Sequence, residues 1–191
     1  MGFLSSIKYG ITDLLCKVRE RKWTFVLCVL LSLVGFILGI VFFCISGYGW
    51  WYYNRCEFAS KLPSAGFGVL ISFVVSAAII YLLYVLCNMT RFTHYLALVV
   101  NLIACIYCGA TVAAVFVYSA VWGVLYVILV AAPWLVIMAF ACFVCMCEPP
   151  VCRSFCEAAR DLKLLLLVLV VGLTCKIIAL FVVLKILTML I

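Results

Sequence analysis

Residues 95–147 read YLALVVNLIACIYCGATVAAVFVYSAVWGVLYVILVAAPWLVIMAFACFVCMC, 53 residues without one charged side chain. As a single α-helix this stretch would be about 80 Å long, against about 30 Å of bilayer hydrocarbon. It therefore has to be two membrane spans joined by a tight turn. Ser119-Ala120-Val121-Trp122-Gly123 suits the turn best, because it joins small residues to a glycine and an interfacial Trp. The third span is then 95–118 and the fourth 124–147. Asn101 is the one strongly polar side chain of the third span and should hydrogen-bond a neighbouring helix. Pro133 in the fourth predicts a kink or a broken ladder, since proline has no N–H and crowds the carbonyl four residues back.

Toward the N-terminus, Asn88 to His94 is a short turn with a formal glycosylation sequon at Asn88, expected to go unused at a cytosolic membrane edge. The second span covers 67–87 and the first 24–46. Small residues recur at helical spacing: Gly35 and Gly39 with Cys28 and Ser32, Ser72 and Ser76, Gly109 and Ala113. In lipid such positions let helix backbones approach until van der Waals contact holds them, so these are the expected helix-packing residues. Between the first two spans lies a loop, 47–64, whose Trp50-Trp51-Tyr52-Tyr53 cluster fits the headgroup zone. Residues 1–23 place Phe3, Leu4, Ile7, Ile11, Leu14, Leu15 and Val18 on one helical face, followed by Lys17, Arg19, Arg21 and Lys22. This predicts an interfacial amphipathic helix on an anionic leaflet rather than a cleavable signal peptide.

Toward the C-terminus, Glu148-Pro149-Pro150 stops the fourth span and 148–163 forms a basic linker. The last segment, 164–191, is apolar except for Lys176 and Lys185. Nine residues apart, they sit about 180° from one another on a helix and define no polar face. A fifth span over about 164–185 fits, with Lys185 reaching the interface. Lys176 then falls near mid-membrane, where an ammonium costs about 2.5–3.5 kcal/mol and marks a functional position by default. Asp13, Glu20, Glu57, Glu148, Glu157 and Asp161 all lie outside the spans. Gly172, one turn earlier, predicts close approach of another helix, with carbonyls and water relieving the amine.

Composition agrees. The chain is 71% hydrophobic and 10% charged, where soluble domains carry about 25% charged residues. The net charge of +7 gathers at the edges of apolar runs, which points to anionic lipid headgroups and not to nucleic acid. The expected fold is an all-α polytopic bundle, with an amphipathic unit 1–23, four spans in 24–147, a linker 148–163 and a fifth apolar helix 164–191. Nine of the basic residues fall on the side of the N-terminus and the 148–163 linker, against two (Arg55 and Lys61) on the other. That asymmetry predicts a cytosolic N-terminus.

Thirteen cysteines, mostly inside apolar runs, do not form a disulfide framework. Cys145, Cys147, Cys152 and Cys156 straddle the end of the fourth span beside Arg153, a setting for S-acylation. Cys16 among basic residues is a further candidate, and Gly2 with Ser6 fits the N-myristoylation pattern. The pairs Cys142/Cys145 and Cys152/Cys156 have near-ligand spacing for zinc, but Cys142 lies within the span and no His assists, so neither metal nor cofactor is expected. Cys105-Ile106-Tyr107-Cys108 shares its CxxC with membrane thiol oxidoreductases that relay electrons to a non-cytosolic cysteine pair. Here that side offers only Cys56, with Cys44 at the end of the first span.

The basic start, the short aromatic first loop with Cys56 and the four closely spaced spans of 24–147 resemble the layout of MARVEL-type tetraspan proteins. That family's second outer loop is longer than Ser119–Gly123, and a fifth span is not part of its pattern. The resemblance implies a role in membrane apposition, vesicle traffic or lipid-domain organisation. The leading expectation is therefore a non-enzymatic protein that organises membranes or protein assemblies, as a homo- or hetero-oligomer through its small-residue faces. The alternative is an oligomeric channel or transporter subunit, suggested by Lys176, Asn101 and Pro133.

Overall fold

The computed structural model describes residues 12, 15–47, 49–61, 67–90, 92–118, 120–147 and 163–190. Every regular element among them is helical: α1 (Lys22–Ile45), α2 (Trp50–Lys61), α3 (Phe67–Asn88), α4 (Thr93–Tyr118), α5 (Ala120–Tyr126), a π-helical turn (Val127–Ala131), α6 (Ala132–Cys147) and α7 (Lys163–Leu190). Five stretches are long and apolar enough to cross a bilayer: Lys22–Ile45, Ile71–Asn88, His94–Tyr118, Gly123–Cys147 and Leu165–Val182. The chain is thus an all-α polytopic membrane bundle of four spans and a fifth C-terminal apolar helix.

The tightest pairing joins α1 to α4. Cys28, Ser32, Gly35, Gly39 and Phe43 recur every three or four residues and make the buried stripe of α1. A methyl group at Gly35 would lie 2.9 Å from the Leu102 carbonyl oxygen, one at Gly39 would strike the Ile106 carbonyl, and one at Gly109 of α4 the Phe36 carbonyl. Both helices therefore contribute glycines, and backbone lies on backbone along the seam. The opposite side of α1, with Leu30, Leu33, Val34 and Ile37, is exposed. In a bilayer that surface meets acyl chains, which is why it can be apolar without a partner.

Two local features depart from the sequence expectations, and a third gives the expected break in the ladder at Pro133 its form. First, the 47–64 loop contains a twelve-residue helix, α2. Gly47, with φ of 57°, closes α1 after the Ser46 cap in the left-handed conformation that glycine adopts without steric cost. No Gly or Pro interrupts 50–61, and Lys61 pairs with Glu57 one turn back at 2.6 Å. The aromatic cluster then folds onto the end of α1: Tyr52 stacks on Phe43 with centroids 4.7 Å apart, and Trp51 meets Phe42 edge-on at 4.9 Å. Second, the hinge between the third and fourth spans is shorter than 119–123, since helix resumes at Ala120. Gly123 serves packing rather than turning, because a methyl there would press on the Phe116 ring. Third, Pro133 is accommodated by a π-turn just before it, in which Ala132 N–H reaches back five residues to the Val127 carbonyl. The wider turn makes room for the proline ring and its missing N–H.

Of the amphipathic 1–23 unit, residues 15–20 are helical, with Val18 against the core and Leu15 exposed. Residues 1–11 and 148–162 lie outside the described residues, and with them Gly2, Cys152 and Cys156.

Candidate functional site

Asn101 and Lys176, the polar residues singled out in the spans, fall in two separate places. The first is the α1–α4 seam. Asn101 is fully buried there, and its Nδ2 donates to Ser32 Oγ at 2.9 Å. Ser32 in turn donates to the Cys28 carbonyl at 2.8 Å, and the Cys105 thiol lies 3.7 Å from Asn101 Oδ1. In hydrocarbon an amide without a partner is costly, so this chain locks the register of two helices. Toward the α6 side, the Cys28 sulfur lies 3.7 Å from that of Cys142 and 3.5 Å from that of Met146, a sulfur cluster inside the core. The small residues Gly35, Gly39, Gly109 and Ala113 are occupied within one chain, so that face is closed to the second copy expected to use it.

The cysteine expectations need one correction. Cys145 is wholly buried, with its thiol toward the Tyr84 carbonyl at 4.0 Å. An acyl chain has no room there, so Cys145 leaves the lipidation set. Cys16 is exposed and Cys147 partly so. Cys105 and Cys108 are both free thiols; the first sits in the seam and the second lines the cavity described below. Among the described residues no three His, Cys, Asp or Glu side chains gather as a metal site. Asn88 of the sequon is 1% exposed, so its amide is not open to glycan transfer.

The second polar place is a cavity of about 410 Å³ between α3, α4, α6 and α7. One face of α3 supplies Ser72, Phe73, Ser76, Ile79, Ile80 and Leu83, spaced by one, three or four residues; α4 supplies Ile103, Tyr107, Cys108 and Thr111. Ser72 and Ser76 thus line open space instead of a helix contact. Tyr126 and Trp134 close the far wall, and Phe58 of α2 roofs one end. Lys176, halfway along α7, enters this cavity. Its Nζ lies 4.2 Å from the Phe73 ring centroid and 4.6 Å from that of Trp134. A desolvated cation over aromatic faces gains about 2 kcal/mol, which offsets much of the cost of placing it in hydrocarbon. The rings stand where carbonyls and water were expected; Gly172 packs instead against Ile137. Among the described residues the amine has no hydrogen bond or ion pair, so its N–H donors remain unused.

A second cation lies close by. Arg55 descends from α2, with its guanidinium 3.5 Å from the Tyr107 centroid and Nη1 donating to Thr111 Oγ1 at 3.3 Å. Arg55, Phe73, Tyr126 and Trp134 were not singled out in the sequence. Trp134 carried a legible signal, since a tryptophan near the middle of a span is far from the interface it prefers.

By fold and composition the protein is an integral multi-pass membrane protein. No family model, curated protein or solved structure matches the chain.

Proposed function

We propose that this is a non-enzymatic membrane-organising protein that acts on the bilayer from within it. The observation that supports this most is the separation of its intramembrane polar groups. Asn101 is used up in the seam, while Lys176 faces a cavity whose rim residues Ile79, Leu83 and Ile103 are exposed on the lipid side. A conduit needs polar groups in series across the membrane; these two do not share a cavity. The MARVEL-like layout points the same way, toward membrane apposition or traffic. An oligomeric channel or transporter subunit is the second reading, favoured by the lysine itself. Purified protein in liposomes separates the two: we expect ion and solute flux equal to empty liposomes, with cross-linking reporting any oligomer. Flux that disappears in Lys176→Leu would establish the second reading instead.

The proposal includes a cytosolic N-terminus, from the nine-to-two charge asymmetry, and S-acylation on that side at Cys147, Cys152 and Cys156, with Cys16 and myristoylated Gly2 as further anchors. Hydroxylamine-sensitive label should survive Cys145→Ser and be largely lost when Cys147, Cys152 and Cys156 are replaced together by Ser. Label unchanged by the triple replacement would move acylation to Cys16.

A further inference from the structure

We propose that the cavity beside Lys176 binds a single-chain carboxylate amphiphile, a free fatty acid, with its carboxylate on the Lys176 amine and its chain between α3 and α4. This goes beyond the organising role and does not depend on it.

The chemistry of the cavity selects the ligand. Among the described residues its one charged lining group is a cation, and no Asp or Glu occurs in any span. Phe73 and Trp134 hold the ammonium by its charge but accept no conventional hydrogen bond from it. Three further hydroxyls belong to residues lining the same space and have no hydrogen bond among the described residues: those of Ser72, Tyr107 and Tyr126. A carboxylate supplies what is missing, one negative charge and two acceptor oxygens. Ser76 and Thr111 also line the space, but their hydroxyls donate to the Phe73 and Tyr107 carbonyls; most of the remaining lining is apolar, and about 410 Å³ lies within the size range of small-molecule sites. Access is lateral, past Ile79 and Leu83 of α3 and Ile103 of α4, all exposed to the acyl layer.

Depth favours a carboxylic acid over a phospholipid. Halfway along α7, the amine lies about 15 Å from either headgroup layer, half the hydrocarbon thickness. A diacyl phosphate would have to drag its headgroup off the interface to reach it. A fatty acid crosses hydrocarbon as the neutral acid. On arrival the acid meets the Lys176 ammonium held over Phe73 and Trp134. The acid's O–H bond breaks, its proton is released to interfacial water, and the carboxylate is left paired with the ammonium, whose own N–H bonds are unchanged.

The test uses the full chain in phosphatidylcholine nanodiscs with radiolabelled palmitate, competed by unlabelled palmitate, by hexadecanol and by phosphatidylglycerol. Palmitate should compete at least about tenfold better than hexadecanol, the worth of one charge-assisted hydrogen bond. Lys176→Met should lose about tenfold in affinity at unchanged melting temperature, and Lys176→Arg should retain most of it. Equal competition by hexadecanol would overturn the proposal, as would full binding by a folded Lys176→Met. Stronger competition by phosphatidylglycerol would overturn it in favour of a lipid headgroup. If Lys176→Met does not fold, the palmitate–hexadecanol comparison on the unaltered protein decides.

Discussion

The two sides of α4 use the same sequence device to opposite ends. Against α1, Gly35 and Gly39 sit four residues apart and meet the backbone of Leu102 and Ile106. Against α3, Ser72 and Ser76 sit four residues apart and meet a cavity. What differs is the surface opposite. The α1 seam faces Gly109, another residue without a side chain, so nothing holds the backbones apart. The α3 face carries Phe73, Ile80 and Leu83 beside its serines, and across from them stand Tyr107, Trp134 and Lys176. Large side chains on both sides prop the helices apart, and the small ones between them leave space. A small-xxx-small pattern thus marks low side-chain volume, and the partner determines whether that becomes contact or void.

The comparison is broken most sharply by placing the same side chain on both sides. Gly39→Leu drives four carbons into the Ile106 carbonyl and should destabilise the protein by about 3 kcal/mol, the upper end for overpacking. Ser76→Leu enters the cavity and should cost less than about 1 kcal/mol, because added methylenes strain only space that is already filled. Unfolding of both variants in mixed detergent micelles measures the pair; equal losses would mean that the α3 side is as tightly packed as the seam. A smaller effect sharpens the account of the seam itself. Asn101→Leu removes the bond to Ser32 and should cost about 1 kcal/mol. In a double-mutant cycle with Ser32→Ala the two losses should not add, since the pair shares one hydrogen bond. Full additivity would show that the amide holds α1 by shape alone.

Much of the architecture was legible in the sequence because lipid imposes a length. A charge-free run of 53 residues cannot be one span, and the division near Ser119 followed from the positions of the small residues. The seam was half legible: the glycines announced close contact and Asn101 a partner, but no periodicity names Ser32 as that partner. The α2 helix was hidden, since an aromatic cluster reads as interfacial in any conformation, and its helicity comes from docking on Phe43 and Tyr107. The cavity was also hidden. Lys176 stood out by its charge, whereas Phe73 and Trp134 are ordinary span residues until tertiary packing brings them against it. Burial of Cys145 escaped notice for a related reason: a cysteine at the end of a span has the same neighbours in sequence whether it faces the core or the membrane edge.

The π-turn at Val127–Ala131 bears on how the chain tolerates changes in length. Tyr126, Val130, Trp134, Met138 and Cys142 are all buried, and each lies four residues from the next. A regular α-helix turning 100° per residue drifts about 40° at every such step, so the stripe would wind away from the core. The wide turn takes up part of that drift and keeps Tyr126 and Trp134 on one wall. In effect this helix carries a spare residue, inserted without lengthening the span. Deleting one residue between 127 and 131 would let the wide turn close to a regular α-turn, in which the seven residues then separating Tyr126 from Trp134 turn about 700°, within about 20° of two full turns. The Tyr126 side chain would stay on the cavity wall with Trp134. A single-codon deletion at this point is therefore absorbed by the turn, whereas the same deletion in a regular stretch of α6 would rotate the lining by about 100° and change what the lysine faces.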